Sequence, residues 1–577
     1  MKTLGIHIGH DSGSSLIIDG QIIADVSEER FVRLKHYAGL PVHSINFCLA
    51  AGKISFDELD FIAISGEIAD LKLKTLLNLS DEQFAHIVEQ NLPHRSIGRK
   101  VKGLLRNKIV YQESPPLYLR FFNLAPKTKV IKVDHHVAHA ASAYYTSGYQ
   151  DCLIITCDGV GDGTSLAVWN GTGGVIKEIR RYDTAGSFGW FYSLVTEALG
   201  WWVGDGEGKT MGLAPYGDRK TVTNKEILAR YLPCYQEGEL VRGIDFGAVK
   251  YFKEFDAFHW HFPDARKIQK AVEDYGPEHV AAEAQYLLEE SLLQFIRHWV
   301  IKEQAKNLAT AGGVFLNVKL NQKILEDTLV ENYYIFPNAG DAGLALGAAF
   351  SVSQHFSREG VAQRIDHMYW GPQYGNDEIE ALLKERNLPY RKADNVAKEA
   401  ARALADQKIV GWFQGRMESG PRALGGRSIL FDPGKPENKD IINKRVKFRE
   451  PFRPFCPSLM EEYAHEYLST SHKDRYMITA CTVKDEKRKI IPAVTHVDGT
   501  CRPQFISRQI NKRFWELLDA FRQYTGVPVI LNTSFNIKGE PIVCSPRDAI
   551  KCFFDTGLDA LCIGDFVVTK QQSFNRP

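Results

Sequence analysis

Several features that would narrow the function are missing from this sequence of 577 residues. Its ten cysteines include no CxxC pair and no disulfide-framework spacing, as expected of reduced thiols in a cytoplasmic protein. No apolar run approaches the roughly 18 residues that a membrane span requires, and the first residues follow no signal-peptide pattern. The formal net charge is only +1, so no overall electrostatic field attracts nucleic acid or a membrane surface.

Length and composition indicate a multidomain globular protein. The chain is too long for a single hydrophobic core, and its content of 44% hydrophobic and 24% charged residues is ordinary. The sequence pattern changes around residues 371–375. We therefore predict a first domain over residues 1–375 and a second over residues 376–577.

Two histidines at helical spacing indicate a metal site. His135 and His139 are four residues apart in the HxxxH of residues 134–143, so one helix face presents both imidazoles. Asp158 follows the apolar run 153–157, where the end of a strand can supply a third ligand. Asp341 is of the right type for a fourth ligand, although it could instead cap the small-residue helix that follows it. Imidazole and carboxylate ligands suit Fe(II), Mn(II) or Zn(II).

A glycine-rich turn near the N-terminus contains His10 and Asp11. It lies at residues 9–15, between strands predicted at residues 4–8 and 16–18. Its N–H groups can face a phosphate, but an ordinary polar hairpin loop explains the pattern equally well. The charged run that contains Lys35 follows closely, and such a run is usually a solvated face.

The plan of strand, acidic-glycine turn and strand recurs around Gly161. This repetition resembles the actin/Hsp70/sugar-kinase superfamily, in which two related halves clasp a nucleotide. An amphipathic helix predicted at residues 279–306 precedes a strand and the pair Gly312–Gly313. The glycines would allow a nucleoside to approach the backbone, with Asn317 available to bond it.

Residues 206–217 contain GxGK but lack the spacing of a phosphate-binding P-loop.

The second domain carries many cations in loops rich in glycine, proline and phenylalanine. Arginine forks in such loops suit phosphate and carboxylate recognition, and the low net charge favours a local anion pocket. A polar strand end after residues 529–531 adds a second binding feature. The basic residues are Arg416, Arg422, Arg427, Lys444, Arg445, Lys447, Arg449 and Arg453, and the strand end contains Asn532 and Ser534.

Eight motifs in order over nearly the whole chain resemble the ATP-dependent O-carbamoyltransferases of natural-product and nodulation-factor biosynthesis. They are HHVAHAASA, CDGVGDG, GEGKTMGLAPYG, GGVFLN, NAGDAGLALGAA, GPRALGGRS, VKFREPFRPF and LNTSFN. The resemblance implies an α/β fold, with an actin/Hsp70/sugar-kinase-like first domain of duplicated halves. It implies an α+β second domain similar to YrdC, the enzyme that forms threonylcarbamoyl-AMP.

The resemblance also implies a two-step reaction. Carbamoyl phosphate and ATP would give carbamoyl-AMP and pyrophosphate in the second domain, and the first domain would transfer the carbamoyl group to a hydroxyl. The phosphates would be held by Lys447, Arg453, Arg422 and Arg427, with Arg502 and Ser534 completing the pocket. The metal would polarise the carbonyl. His10 would act as general base because its ordinary pKa of about 6.5 lies near neutrality, and sequence adjacency alone should not let Asp11 orient its ring.

The expected cofactors are ATP with Mg²⁺ and a divalent metal, with Fe²⁺ preferred and Zn²⁺ or Mn²⁺ left open. The expected partners are carbamoyl phosphate and a natural-product or sugar hydroxyl, with no nucleic acid and no membrane. Homo-oligomerisation is left open. Two alternatives remain: a threonylcarbamoyl transferase acting on tRNA, and a non-enzymatic ATP-driven switch of the Hsp70 kind.

Overall fold

The computed structural model describes residues 1–65, 110–111, 127–222, 226–242, 262–327, 330–357, 362–470 and 472–570. The strands are β1 (Lys2–His7), β2 (Gly13–Ile18), β3 (Gln21–Ser27), β4 (Phe61–Ser65), β5 (Val110–Tyr111), β6 (Lys129–Val133), β7 (Asp151–Gly161), β8 (Thr164–Thr172), β9 (Val175–Asp183), β10 (Cys234–Gln236), β11 (Glu239–Arg242), β12 (Asn307–Ala311), β13 (Asn332–Ile335), β14 (Tyr390–Lys392), β15 (Val410–Phe413), β16 (Arg427–Phe431), β17 (Cys456–Met460), β18 (Cys481–Thr482), β19 (Thr500–Cys501), β20 (Gln504–Ile506), β21 (Val529–Ser534), β22 (Ala560–Ile563) and β23 (Phe566–Thr569).

The α-helices are α1 (Glu29–Val32), α2 (Val42–Gly52), α3 (His135–Ser147), α4 (Phe188–Ala198), α5 (Glu207–Leu213), α6 (Glu226–Ala229), α7 (Ala265–Tyr275), α8 (Pro277–Lys302), α9 (Val318–Asp327), α10 (Leu344–Ser357), α11 (Asn376–Glu385), α12 (Val396–Ala405), α13 (Asn438–Ile442), α14 (Ala464–Tyr467), α15 (Asp485–Arg488), α16 (Lys512–Thr525) and α17 (Pro546–Asp555). Helix α8 lies where the sequence predicts a helix over residues 279–306. None of the helices in the described ranges has both the length and the apolar composition needed to cross a bilayer.

The chain divides into two compact units. The first unit comprises Met1–Asp183, Ala305–Gly313 and Glu331–Arg364, and the second comprises the remaining segments, Thr184–Gln304, Val314–Val330 and Ile365–Pro577. The segment 184–304 thus belongs to the same compact unit as the C-terminal part of the chain. The sequence boundary after residue 375 stays a prediction.

The first unit contains two sheets of matching topology. One has the order β3-β2-β1-β4-β6-β5, and the other has the order β9-β8-β7-β12-β13. Strand β1 pairs antiparallel with β2, its hairpin partner, and parallel with β4 on its other side. In the same way, β7 pairs antiparallel with β8 and parallel with β12. The matching topology confirms the duplicated halves predicted from the repeated strand pattern, and with them the actin/Hsp70/sugar-kinase-like plan.

Small residues let helix α10 pack closely in the first unit. A Cβ at Gly347 would lie 1.9 Å from the carbonyl oxygen of Ala138 in α3. A Cβ at Gly5 in β1 would lie 1.9 Å from the carbonyl oxygen of Ala345 in α10. Because any side chain at these positions would push backbone apart, the small-residue sequence of α10 is a packing requirement.

The second unit contains an eight-stranded mixed sheet of order β14-β23-β22-β15-β16-β21-β17-β20. Alternate residues of its strands enter two separate cores, as the period of two in a strand requires. Trp412 and Leu430 pack with α12 and α16, whereas Phe413 and Phe431 pack with α11 and α17. The sheet is therefore covered by helices on both faces, and its likeness to YrdC stays a prediction.

Candidate functional site

Four predicted metal ligands converge in the first unit. The Nε2 atoms of His135 and His139 are 3.1 Å apart, and Asp158 Oδ2 lies 3.0 Å from His139 Nε2 and 3.4 Å from His135 Nε2. Asp341 Oδ1 lies 3.6 and 3.7 Å from the same two nitrogens. One ligand atom from each residue falls within 4.8 Å of all the others.

Local structure explains this convergence. Helix α3 begins at His135, because the side chain of Asp134 caps it by accepting a hydrogen bond from Val137 N. Asp158 lies in β7, next to the start of α3 in space. Asp341 opens a single helical turn before α10, and its N-cap is Gly340, so Asp341 faces the histidines and does not cap α10.

The donor set fits a single divalent ion. Bonds of about 2.1 Å to one ion separate neighbouring ligand atoms by roughly 3.0–3.4 Å, close to the distances between the four side chains. Desolvation lowers the pKa of His135, but the carboxylates of Asp341 and Asp158 outweigh it and raise the pKa to about 9. Burial and Asp341 act to raise the pKa of Asp158, yet hydrogen bonds from both histidines hold it below its ordinary value. These carboxylates would equally stabilise a bound cation.

The absence of a side chain at Gly161 leaves room for the imidazole of His135. A Cβ at this position would lie 2.1 Å from the imidazole of His135, much closer than any van der Waals contact. We expect Gly161→Ala to displace the His135 ring, to weaken metal affinity at least about tenfold, and to destabilise the fold by about 1–3 kcal/mol. Metal content after dialysis and thermal unfolding measure the two effects. Gly208→Ala, where a Cβ meets nothing within 4 Å, is the control; full metal retention by Gly161→Ala would contradict the assignment.

His10 makes two carboxylate contacts beside this cluster. Its Nε2 lies 3.0 Å from Asp341 Oδ2, and its Nδ1 lies 3.0 Å from Asp11 Oδ2. The expectation that Asp11 could not orient the adjacent ring is wrong, because Asp11 has a left-handed backbone (φ 59°) that turns its carboxylate towards His10. The other oxygen of Asp11 lies 2.7 Å from Nδ1 of His36, a residue that the sequence analysis did not assign.

The contacts of His10 affect its protonation. Desolvation lowers the pKa of the ring, but the carboxylates of Asp341 and Asp11 outweigh it and raise the pKa well above its ordinary value. These contacts favour the protonated ring, and its role as general base stays a prediction that requires a weaker contact with Asp341. Lys35, predicted beside the same loop, is exposed after α1.

The glycine pair and Asn317 are engaged with protein atoms. Gly312 has φ 106°, and a Cβ there would lie 2.1 Å from the carbonyl oxygen of Cys157 in β7. A Cβ at Gly313 would lie 3.0 Å from Asp158 Oδ1. The amide of Asn317 exchanges two hydrogen bonds of 3.0 Å with Gln285. Backbone packing thus explains Gly312, and the nucleoside contact of this segment stays a prediction.

Five cations come together in the second unit with few anions near them. Burial and neighbouring Arg502 lower the pKa of Arg422 to about 9, and burial and neighbouring Arg453 do the same for Arg449. Burial first, then Arg449, lower the pKa of Lys447 well below its ordinary value. We call these side chains the basic cluster: Arg422, Lys447, Arg449, Arg453 and Arg502.

Few carboxylates lie close enough to neutralise the positive charge of the basic cluster. Among the described residues, Glu450 is the one carboxylate within 4.0 Å of any of these cations, at 3.7 Å from Arg453. Arg502 donates from Nε and an Nη to Cys456 Sγ at 3.2 and 3.0 Å, a weak acceptor for a guanidinium. Cations brought together with few counter-charges favour an anionic ligand.

Lys447 lies at the end of a single π-helical turn, Asn443–Lys447. Such turns are rare and occur frequently at functional sites. Its Nζ contacts the carbonyl oxygen of Ser534, lies 3.3 Å from Ser534 Oγ, and donates to Asn536 Oδ1 at 2.7 Å. Ser534 ends β21, so the predicted polar strand end and the basic run do meet. Arg449 belongs to the predicted basic run and Asn536 to the predicted strand end, but neither received a role from the sequence.

Three residues predicted for the anion pocket make hydrogen bonds to the protein scaffold. Arg427 is fully buried, its Nη groups donate to four backbone carbonyls, and its guanidinium lies 3.7 Å above the ring of Phe413. Arg416 donates to the carbonyls of Trp370 and Gly371. The buried amide of Asn532 donates to Ala423 O, Ser458 Oγ and Gln504 Oε1. Arg427 Nε and Asn532 Oδ1 are buried and make no hydrogen bond to the part of the chain that the structure describes, so a place for these residues in the pocket stays a prediction.

Comparison with known proteins identifies the family of this chain. The family described as "Carbamoyltransferase N-terminus" matches residues 2–350, and "Carbamoyltransferase C-terminus" matches residues 401–570. Nodulation protein NolNO of Sinorhizobium fredii is 36% identical over 570 residues, which cover 97% of this chain and 79% of that protein. Nodulation protein NolO of Bradyrhizobium diazoefficiens is 38% identical over 445 residues, which cover 76% of this chain and 79% of that protein.

A solved structure of HypF from T. kodakarensis is also similar, at a TM-score of 0.32 and 13% identity over 62% of this chain and 48% of that one. That likeness is too weak to carry an argument, whereas the family matches span both parts of the chain. The resemblance indicated by the eight motifs is confirmed. The chain belongs to the carbamoyltransferase family and is an enzyme that transfers carbamoyl groups.

Proposed function

We propose that this enzyme is an ATP-dependent O-carbamoyltransferase that works through carbamoyl-AMP. The observation that carries the proposal is the basic cluster, in which five cations lie together and Glu450 is the one carboxylate of the described residues within 4.0 Å of them. Carbamoyl phosphate and ATP repel each other, so joining them requires several fixed cations around the phosphates. Water attacks the phosphorus of carbamoyl phosphate, so the P–O bond to the carbamoyl group breaks, inorganic phosphate is released and a carbamate oxygen is left. That oxygen attacks the α-phosphorus of ATP with loss of pyrophosphate, giving carbamoyl-AMP.

Each cation has a distinct part in this first step. Arg422, Arg453 and Arg502 hold the phosphates and the adenylate, and Arg449 joins them. Lys447 is fixed against Ser534 and Asn536, where it neutralises charge that develops on the departing phosphate oxygens. Mg²⁺ accompanies ATP in the usual way. We propose that adenylation takes place in a YrdC-like domain over residues 376–577.

The second step belongs to the cluster of His135, His139, Asp158 and Asp341. A divalent ion held by these residues, for which we prefer Fe²⁺ over Zn²⁺ or Mn²⁺, supplies Lewis-acid polarisation of a carbonyl or phosphoryl oxygen. His10 is oriented by Asp11 and accepts the proton of the acceptor hydroxyl once its contact with Asp341 weakens.

The acceptor is proposed to be a hydroxyl of a natural product or sugar. The net charge of +1 does not favour tRNA as the acceptor. The reaction uses ATP and carbamoyl phosphate, which are cytoplasmic metabolites, and we propose that location for the enzyme.

Isotope exchange tests the proposal. Purified enzyme with ATP, carbamoyl phosphate and labelled pyrophosphate should move label into ATP, because the adenylate step is reversible while the adenylate stays bound. Omitting carbamoyl phosphate is the control and should abolish the exchange. Screening hydroxyl compounds by mass spectrometry for the gain of one carbamoyl group then identifies the acceptor. Carbamoyl transfer without exchange would remove carbamoyl-AMP from the mechanism.

A further inference from the structure

Lys209 lies on α5, in the motif at residues 206–217 that the proposed reaction leaves without a role. Its Nζ lies 3.1 Å from Glu450 Oε1, and its side chain is only 16% exposed. The other oxygen of Glu450, Oε2, lies 3.7 Å from an Nη of Arg453. One carboxylate therefore faces both a lysine of α5 and an arginine of the basic cluster.

The two contacts of Glu450 are unequal. The distance of 3.1 Å to Lys209 is that of a close ion pair, whereas 3.7 Å to Arg453 exceeds hydrogen-bonding distance. Oε2 is buried and makes no hydrogen bond to any residue that the structure describes. Arg453, three residues further along the chain, could form a closer pair with this oxygen if Glu450 were released from Lys209.

A closer pair would impair the anion site. Carboxylate and guanidinium form strong, often bidentate hydrogen bonds, and Glu450 is the nearest competitor that the described residues offer for Arg453. An arginine held in this way has fewer N–H groups for a phosphate, and its charge is already neutralised. Lys209 supplies the counter-charge that Glu450 would otherwise take from Arg453.

The position of α5 is fixed against the loop that carries Glu450. The rings of Trp201 and Phe452 lie 5.8 Å apart, and a Cβ at Gly212 would lie 3.8 Å from Phe452. Lys209 Nζ also lies 6.0 Å from the centre of the Trp201 ring. These contacts keep the lysine beside Glu450, so the charge pairing does not depend on a freely moving side chain.

We propose that Lys209 is a positioning residue that holds Glu450 away from Arg453 and so keeps this arginine free for the phosphates of the substrate. The proposal rests on the proposed function, in which Arg453 binds phosphate. It assigns the lysine of the GxGK motif to the adenylation site through Glu450, with no contact between Lys209 and the substrate.

Four variants of the full chain separate this role from a simple link between helix and loop. Lys209→Met keeps the aliphatic stem and removes the charge, and it should raise the Kd for inorganic pyrophosphate about five- to tenfold. Glu450→Gln removes the competitor and should lower that Kd about two- to fivefold. The double variant should have the same Kd for pyrophosphate as Glu450→Gln. Lys209→Arg should have the Kd of the original enzyme. Calorimetric titration measures all four.

Kinetics adds an independent readout. In pyrophosphate exchange, Lys209→Met should raise KM for carbamoyl phosphate more than it lowers kcat, because the defect is in binding. Lys267→Met, which removes another lysine of the same unit from its pair with Asp264, is the matched control and should change neither value.

A helix–loop link predicts a different pattern, in which Lys209→Met and Glu450→Gln weaken binding equally and the double variant is no worse. That result, or unchanged affinity in Lys209→Met, would overturn the proposal. Should Lys209→Met fail to fold, weaker pyrophosphate binding by Glu450→Gln alone would overturn it. If the original enzyme binds pyrophosphate but shows no exchange, adenylation fails as the proposed function while the binding series still decides the role of Lys209.

Discussion

Replacing Lys447 by methionine is expected to slow carbamoyl-phosphate-dependent exchange of pyrophosphate into ATP about ten- to a hundredfold. The side chain is buried, and contacts with acceptors of Ser534 and Asn536 fix its Nζ where phosphate charge develops in the proposed reaction. Loss of one charge-assisted contact in such a site is worth about 1.5–3 kcal/mol. Initial exchange rates at saturating ATP measure the loss, and metal content should stay normal.

The exposed Lys444 provides a matched control on the same π-helical turn. Lys444→Met removes an equal charge that does not face the basic cluster, and it should exchange at the original rate. Synthetic carbamoyl-AMP should restore product formation by Lys447→Met, because only adenylate synthesis is impaired. If added adenylate does not restore it, Lys447 acts in transfer or in folding, and its assignment to adenylation is wrong.

The convergence of His135, His139 and Asp158 could be predicted from the sequence because their signals are local. A spacing of four residues puts His135 and His139 on one helix face in any α-helix, and Asp158 follows an apolar run typical of a buried strand. The duplication of the sheets was likewise visible as a repeated order of strand, turn and strand. In each case, neighbouring residues carry most of the information.

Local sequence patterns could not predict which arginines bind backbone carbonyls and which join the basic cluster. Arg427 and Arg449 both lie in glycine- or phenylalanine-rich segments, and only Arg427 was chosen for the pocket. The structure instead buries Arg427 on Phe413 among backbone carbonyls and places Arg449 beside Arg453. Which carbonyls approach a guanidinium depends on loops that are distant in sequence, so residue type and local pattern do not decide it.

Backbone conformation and long-range packing account for the other differences. The contact between His10 and Asp11 depends on a left-handed residue other than glycine, which local sequence rarely indicates. The contact of Asp11 with His36 spans 25 positions. Lys209 and Glu450 are still further apart in the sequence. They lie in segments that belong to one compact unit, and no local sequence pattern indicates that association.

Removing one metal ligand should separate the two steps of the proposed reaction. His139→Ala deletes a fully buried imidazole whose Nε2 lies 3.0 Å from Asp158 and 3.1 Å from His135. We expect bound metal to be lost and carbamoyl transfer to fall at least about a hundredfold, because Lewis-acid polarisation of the carbonyl is worth several kcal/mol. Pyrophosphate exchange should remain nearly normal, because the basic cluster is intact. Elemental analysis, single-turnover transfer from preformed carbamoyl-AMP and exchange rates measure the three quantities.

His136 is the matched control on the same helical turn. Its Nδ1 lies 2.8 Å from Thr156 Oγ1 and its Nε2 lies 3.1 Å from the carbonyl oxygen of Thr164, so its ring is committed to the sheet and not to the ligand set. His136→Asn should lose some stability, because buried hydrogen bonds are disturbed, yet it should retain metal. Equal loss of pyrophosphate exchange and carbamoyl transfer in His139→Ala would contradict the assignment of the two steps to separate sites. A ligand that serves only transfer should not slow adenylate formation.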